Sequence, residues 1–278
     1  LRKRKNDVLR LAWITDPHAN FVASRDWFRR ILDERPDGVL ITGDIAESKS
    51  IRGVLLAFAE ETARPVYFVL GNHDFYRSSF AKVRANVSKT VLETPSLTYL
   101  HEHGIVRLSD KTALIGVDGW YDGRNGDFDQ SRAVLNDFLL IEDLSKHARI
   151  GDIGGLKRRI EQFTDADAEK VRTLLSACID PRLERIVVAT HVPPFAGAAW
   201  HEGRVSDAEH LPFFSNRSIG DAIMEATKTF REKLGGKVDV YCGHTHSEGV
   251  IHPAENLAVR TGAAEYYSPG LAGFVEYE

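Results

Sequence analysis

Val66-Tyr67-Phe68-Val69-Leu70 runs directly into Gly71-Asn72-His73-Asp74. Five successive apolar residues suit a strand covered on both faces. The polar side chains that follow serve no packing purpose, so this strand ends at something that needs them. The same arrangement recurs along the chain. Residues 8–15 lead into Asp16-Pro17-His18, and residues 38–42 end in Gly43-Asp44. Residues 185–190 end in His191, and residues 238–242 in Gly243-His244-Thr245-His246. Strand ends border the ligand crevice of open α/β folds, so these five can converge on one site.

A further strand is predicted over 112–117. Helical spacing of apolar residues predicts helices over 25–34 (Trp27, Phe28, Ile31, Leu32) and 51–62 (Ile51, Val54, Leu55, Phe58). It also predicts them over 131–146 (Val134, Leu135, Phe138, Leu139), 164–178 and 218–234 (Ile219, Ile223, Ala226, Phe230). These stripes read as core faces and carry no chemistry. Strand–helix alternation implies parallel pairing. Residues 97–117 read instead as hairpins turning near Gly104 and Asp110, which makes the sheet mixed. No linker, repeat or low-complexity block divides the chain, so residues 1–278 read as one α/β domain.

The composition is that of a folded protein, with 278 residues, 43% hydrophobic and 27% charged. Forty acidic against 36 basic side chains give a net charge of −4, which excludes a strongly basic nucleic-acid footprint overall. No apolar run approaches the roughly 18 residues of a membrane span. The basic start Leu1-Arg2-Lys3-Arg4-Lys5 is not followed by a signal-peptide core. The first residue is Leu, which leaves a start further upstream open. Cys178 and Cys242 are too few for a disulfide framework, so a reducing compartment, the cytoplasm, is expected.

Asp16, His18, Asp44, Asn72, His191, His244 and His246 offer carboxylate, imidazole and amide-oxygen donors and no thiolate. Seven donors exceed a tetrahedral site but suit two ions sharing a carboxylate. Gly43, Gly71 and Gly243 are expected to let the chain turn sharply between strand and ligand. Each short motif has a plain alternative as a turn or helix cap. Together, in this order and at strand ends, they point to metal.

These motifs, from Asp16 to His246, resemble the full set of the calcineurin-like metallophosphoesterase superfamily. The resemblance implies a four-layer α/β/β/α sandwich of two mixed β-sheets, with a dinuclear metal centre at the strand C-terminal ends. Asp16, His18 and His246 would hold one ion; Asn72, His191 and His244 the other; Asp44 would bridge them. His73 would lie beside the metals without binding them, oriented by Asp74. Two divalent ions (manganese, iron, zinc, cobalt or nickel) about 3.5–4 Å apart would clamp a phosphoryl group and lower the pKa of a shared water. Their bridging hydroxide would attack in line, with His73 assisting the leaving group.

No Asp-Arg-Gly follows Gly43-Asp44, no tyrosine ligand stands just after it, and His73 occupies a position where another branch carries arginine. The remaining similarity is to the bacterial phosphodiesterase-like branch, so a small-molecule or nucleotide phosphodiester is the expected substrate. Residues 192–217 leave a ligand-bearing strand end and are expected to overhang the site. Trp200 could stack on an aromatic group, and His201, Arg204 or Arg217 could hold phosphate. In the loop 118–127, Trp120 and Tyr121 could form a pocket wall. His101, His103, His147, His210 and His252 read as surface residues. Two alternatives stand beside this one. A DNA nuclease of the same superfamily would need a basic track, and a non-catalytic scaffold would be expected to lose ligands that are all present here.

Overall fold

The computed structural model describes residues 8–22 and 24–278, so the basic start lies outside the described residues. Two sheets stack face to face. The first has the order β13-β1-β2-β3-β4, with β1 Leu9–Ile14, β2 Gly38–Thr42, β3 Val66–Val69, β4 Leu97–Tyr99 and β13 Gly273–Tyr277. Its strands β1 to β4 are parallel, and β13 joins β1 antiparallel. The second has the order β11-β12-β10-β7-β6-β5. Its strands are β5 Val106–Arg107, β6 Thr112–Gly116, β7 Arg185–Ala189, β10 Lys237–Cys242, β11 Gly249–Ala254 and β12 Leu257–Thr261. Here β6, β7, β10 and β12 run parallel, and β5 and β11 close the edges antiparallel.

Alternation along each strand builds the layers. Leu11, Trp13, Leu40 and Val69 of one sheet meet Leu114, Val187, Ala189 and Tyr241 of the other in a buried seam. The opposite face of the first sheet, with Ala12, Ile14, Val39, Ile41 and Phe68, packs on α1 (Trp27–Asp33), α2 (Ile51–Thr62) and α3 (Phe80–Glu93). The outer face of the second, with Ala113, Ile115, Ile186, Val188 and Val240, packs on α7 (Ile153–Ala177) and α9 (Arg217–Leu234). Helix, sheet, sheet and helix are therefore the four layers expected.

Several elements differ from the sequence expectation. Helix α3 was not anticipated, because Asn86, Ser88 and Lys89 dilute a stripe of Phe80, Val83, Val87 and Thr90; Ser79 caps its start by accepting from the Lys82 amide. Residues 131–146 form only two short helices, α5 (Asp137–Leu140) and α6 (Glu142–Ala148). Between them Ile141 is extended and bridges to Ser78, and Val134 and Leu139 are exposed rather than core. Helix α7 begins eleven residues before the predicted 164, capped by Asp152 on the Gly155 amide. Residues 97–117 are not a run of hairpins. Strand β4 joins the first sheet, a helical turn α4 (Leu100–His103) crosses over, and only β5–β6 is a hairpin. His101 is buried, not a surface residue. Trp120 and Tyr121 are core residues packed on Phe75, Phe80 and Phe213, and form no pocket wall. Among the described residues no helix is long and apolar enough to cross a membrane. Cys178 and Cys242 are free and buried, and burial pushes their thiols up to about 11 and about 12.

Candidate metal centre

The parallel strands of both sheets end at the same edge, and the seven donor side chains meet there. Five of them, Asp16, His18, Asp44, His244 and His246, have φ between 40° and 72°. L-residues occupy this left-handed region at a cost, and such strain concentrates at functional sites. The sharp bend it produces aims each side chain off its strand end into the shared space. Of the three strand-end glycines only Gly43, with φ of 92°, is required for a turn. Gly71 and Gly243 are required for space. A Cβ on Gly71 would lie 2.2 Å from Asp44 Oδ1, and one on Gly243 within 2.2 Å of Asp16 Oδ2.

The first donor group is Asp16, His18 and His246. His246 Nε2 stands 3.4 Å from Asp16 Oδ1 and 3.3 Å from His18 Nε2. In the second, Asn72 Oδ1 lies 3.0 Å from both His191 Nε2 and His244 Nδ1, which are 3.3 Å from each other. Asp44 reaches both groups, with Oδ1 3.4 Å from His191 Nε2 and Oδ2 3.8 Å from His18 Nε2.

The second group fits a cation because its N–H donors are turned outward. His191 Nδ1 donates to the Thr42 carbonyl at 2.8 Å, and His244 Nε2 to the Phe213 carbonyl at 2.9 Å. The Asn72 amide donates to Asp137 Oδ1 at 3.0 Å. What remain are three lone pairs pointed at one another, an arrangement that repels itself unless a cation sits among them. Burial pushes His244 down to about 3 and His18 down to about 4, so both imidazoles are the neutral form a metal requires. Burial would raise the Asp16 carboxyl, but the imidazoles packed around it outweigh burial and hold it well below the usual range. Asp44 goes the other way, raised by burial and then by the charge of Asp16. Two buried carboxylates this close cannot both ionise without added positive charge. Among the described residues no lysine or arginine bonds either of them.

A family model for calcineurin-like phosphoesterases matches residues 9–248. The chain belongs to this family. A calcineurin-like phosphoesterase is a dinuclear metal-dependent hydrolase of phosphoesters, and Asp16, His18 and His246, His18, Asp44 and His73, and Asp16, Asp44 and His191 each stand close enough together to hold a metal ion. Solved structures similar to the chain share its fold. Phosphopantetheinyl hydrolase from Mycobacterium tuberculosis is 14% identical, with TM-score 0.63 and 95% of each chain covered. A dimetal phosphatase from Danio rerio is 16% identical, with TM-score 0.56 and 93% of this chain and 88% of that one covered. A Thermus thermophilus protein is 11% identical, with TM-score 0.56 and coverage of 98% and 99%. No curated protein matches the chain in sequence.

The remaining expected residues are placed less uniformly around the donor cluster. His73 lies beside it, with Nε2 3.8 Å from Asp44 Oδ2, its ring stacked on Tyr76 and edge-on to His18. Asp74 does not orient His73. Its two oxygens accept from the Ala46 amide at 2.8 Å and the Gly71 amide at 2.7 Å, so it ties the turn after β2 to the end of β3. In residues 192–217 the contact with the centre comes through Phe213, whose carbonyl fixes His244, and Phe214, whose ring is 5.5 Å from it. His201, on the short strand β8 (Trp200–His201), sits 5.7 Å from Phe214. Trp200 instead packs its indole over Gly249, leaving Nε1 unpartnered. Arg204, on the paired strand β9 (Arg204–Val205), is exposed. Arg217 pairs with Asp221 and lines a separate charged cleft with Arg124 and Asp165. These three residues are not brought to the donor cluster.

Sequence reasoning missed Asp137. It is buried at the start of α5 and accepts from Asn72 and from Tyr76 Oη at 2.7 Å, so it decides which amide atom of Asn72 faces the centre. It also missed Tyr266, whose ring stacks on His18. Neither lies at a strand end. The only sequence signal for Tyr266 is an aromatic pair among small residues.

Proposed function

We propose that this phosphoesterase hydrolyses phosphodiesters, with Asp16, His18 and His246 holding one divalent ion, Asn72, His191 and His244 the other, and Asp44 spanning both. Bound there, the ions would supply charge neutralisation at the phosphoryl oxygens and a water acid enough to attack at neutral pH. The observation that carries this reading is the outward commitment of the ring protons of His191 and His244, which leaves an all-acceptor nest beside a carboxylate shared with the first donor group.

The chain's own residues do the rest. Thr42 and Phe213 carbonyls fix two tautomers, and Asp137 fixes the Asn72 amide. His73, partly open beside Asp44, would hydrogen-bond the leaving oxygen. Asp74 holds the Asp44 turn against the Asn72 turn through two backbone amides. Charge favours a diester. A monoester dianion calls for further positive charge, such as a guanidinium, and none among the described residues bonds the cluster, whereas two dications less the Asp16 and Asp44 carboxylates and an attacking hydroxide would leave one positive charge, enough for a diester monoanion. His201 and Phe214 form the wall on the side of residues 192–217.

The test is hydrolysis of bis(nitrophenyl) phosphate against nitrophenyl phosphate by manganese-loaded protein of known metal content, followed by cyclic nucleotides, dinucleotides, head-group diesters and DNA. Preference for the diester is expected. Metal-loaded protein that cleaves none of these esters would overturn the assignment.

A further inference from the structure

Three aromatic rings unused by the donor cluster line its open side. Tyr266 stacks on the His18 imidazole, with centroids 4.5 Å apart and planes 21° apart, and lies 4.9 Å from His246. Tyr267 follows at 6.3 Å from Tyr266. Phe21 is 6.0 Å from Tyr267 and 6.5 Å from His18. Their exposures are 42%, 71% and 43% in that order. A scattered exposed ring needs no explanation. A contiguous group that starts on a metal-donor imidazole and runs outward does.

The rings are held without being buried. Phe21 belongs to the turn that follows His18, and the two tyrosines to the segment between β12 and β13. That segment is tied by Ala264 N donating to the His246 carbonyl at 3.3 Å, by Arg30 donating to the Pro269 carbonyl at 3.1 Å, and by Ala272 N donating to the Trp13 carbonyl at 2.9 Å. Tyr267 itself has φ of 67°, a conformation a tyrosine adopts at a cost. Strain that keeps an aromatic ring in solvent has no packing return.

We infer that Phe21, Tyr266 and Tyr267, with Tyr267 inclined by 50° to Tyr266 and 59° to Phe21, form an angled shelf on which a planar, base-like group of the substrate stacks on one ring face and meets the edges of its neighbours, an inference that rests on the adjacent cluster being a phosphoesterase centre. Ring faces recognise nucleobases by stacking, with little regard to which base is present. Tyr266 and Phe21 adjoin the donor histidine His18, and Tyr267 stands one ring further out. The group they accept is therefore separated from the reacting phosphorus by a spacer, as a base is by its sugar. An aryl group esterified directly to phosphorus would reach Tyr266 and Phe21 but not Tyr267. The substrate class is thus a nucleotide ester with broad base tolerance, in preference to head-group or sugar diesters.

The experiment compares three methyl phosphodiesters, of a nucleoside, of glycerol and of phenol, on manganese-loaded protein. The nucleoside ester is expected to exceed the glycerol ester in kcat/KM by about ten-fold or more, through KM. Tyr267→Leu and Phe21→Leu should each lower that ratio about ten-fold, and Tyr267→Phe should retain it. Equal use of nucleoside and glycerol esters, a KM for the phenyl ester as low as that for the nucleoside ester, or leucine variants that keep the ratio would each overturn the shelf. Binding of a nucleoside methylphosphonate, followed at equilibrium, reads the shelf without turnover. Affinity about ten-fold weaker in Tyr267→Leu supports it, and equal affinity refutes it. Protein that binds the phosphonate through these rings yet cleaves no ester would refute the phosphoesterase reading and leave the shelf standing.

Discussion

Asp118 gives a sharp test of how the two sheets are clamped together. It follows β6 in the second sheet, yet its Oδ1 accepts from the Leu70 amide at the end of β3, in the first sheet, at 3.0 Å. Its Oδ2 accepts from Tyr99 Oη at 2.6 Å and from Arg84 Nε at 3.0 Å and Nη2 at 2.9 Å. Its backbone carbonyl accepts from the His191 amide at 2.9 Å. In Asp118→Asn only one oxygen remains. Facing Arg84 and Tyr99, it turns the new NH2 against the Leu70 N–H, and two donors meet. The variant also leaves Arg84, 24% exposed, with, among the described residues, Asp167 at 3.9 Å as its remaining acidic partner. Removing one partner of a buried pair costs about 3–5 kcal/mol, and the residual exposure of Arg84 argues for the lower end. At about 2–4 °C per kcal/mol for a protein of this size, Tm should fall by about 6–12 °C in calorimetry at neutral pH. The pH dependence has a definite sign. Burial opposes ionisation of Asp118, but His101 and Arg84 outweigh it and hold the carboxyl below its usual value. The wild-type advantage is therefore present above the unfolded pKa of about 3.9 and is lost as pH falls through the lower folded value. A neutral-pH shift below about 2 °C would refute the clamp.

Other expectations follow from the same geometry. Gly71→Ala places a methyl 2.2 Å from Asp44 Oδ1 and 2.7 Å from His191 Cε1; displacing these groups should lower kcat/KM by about 100-fold, and normal activity with normal Tm would contradict the close packing. Asp137→Ala frees the Asn72 amide to turn its NH2 toward the metals, so competition titration should show metal affinity lower by about 10–100-fold. Arg217→Ala should leave KM for every diester unchanged, since Arg217 is paired with Asp221 away from the cluster; a raised KM would return residues 192–217 to substrate binding through that arginine.

Much of the donor cluster was legible because its side chains sit at strand ends, where short motifs interrupt apolar runs and each motif is contiguous. The β/α alternation of the first sheet was legible for the same reason. What was not legible depends on contacts between distant segments. Asp137 looks like any residue in a helical stretch until Asn72, 65 positions away, is folded against it. Asp74 follows His73 in sequence but faces backbone amides instead, because the turn at Asn72 to Phe75 rotates the two side chains apart. The role of Gly71 could not be read as space instead of flexibility, since the clash is with a carboxylate from another strand. The aromatics of 192–217 drew attention by composition, yet Trp200 is occupied by Gly249, and the rings at the open side come from Phe21 and from 266–267.

The central claim is that Asp44 stands between two ions, and manganese-loaded protein tests it directly. Elemental analysis should give two ions per chain, and electron paramagnetic resonance should show an exchange-coupled pair, as expected for ions about 3.5–4 Å apart. A single ion, or two with independent signals, would contradict the account.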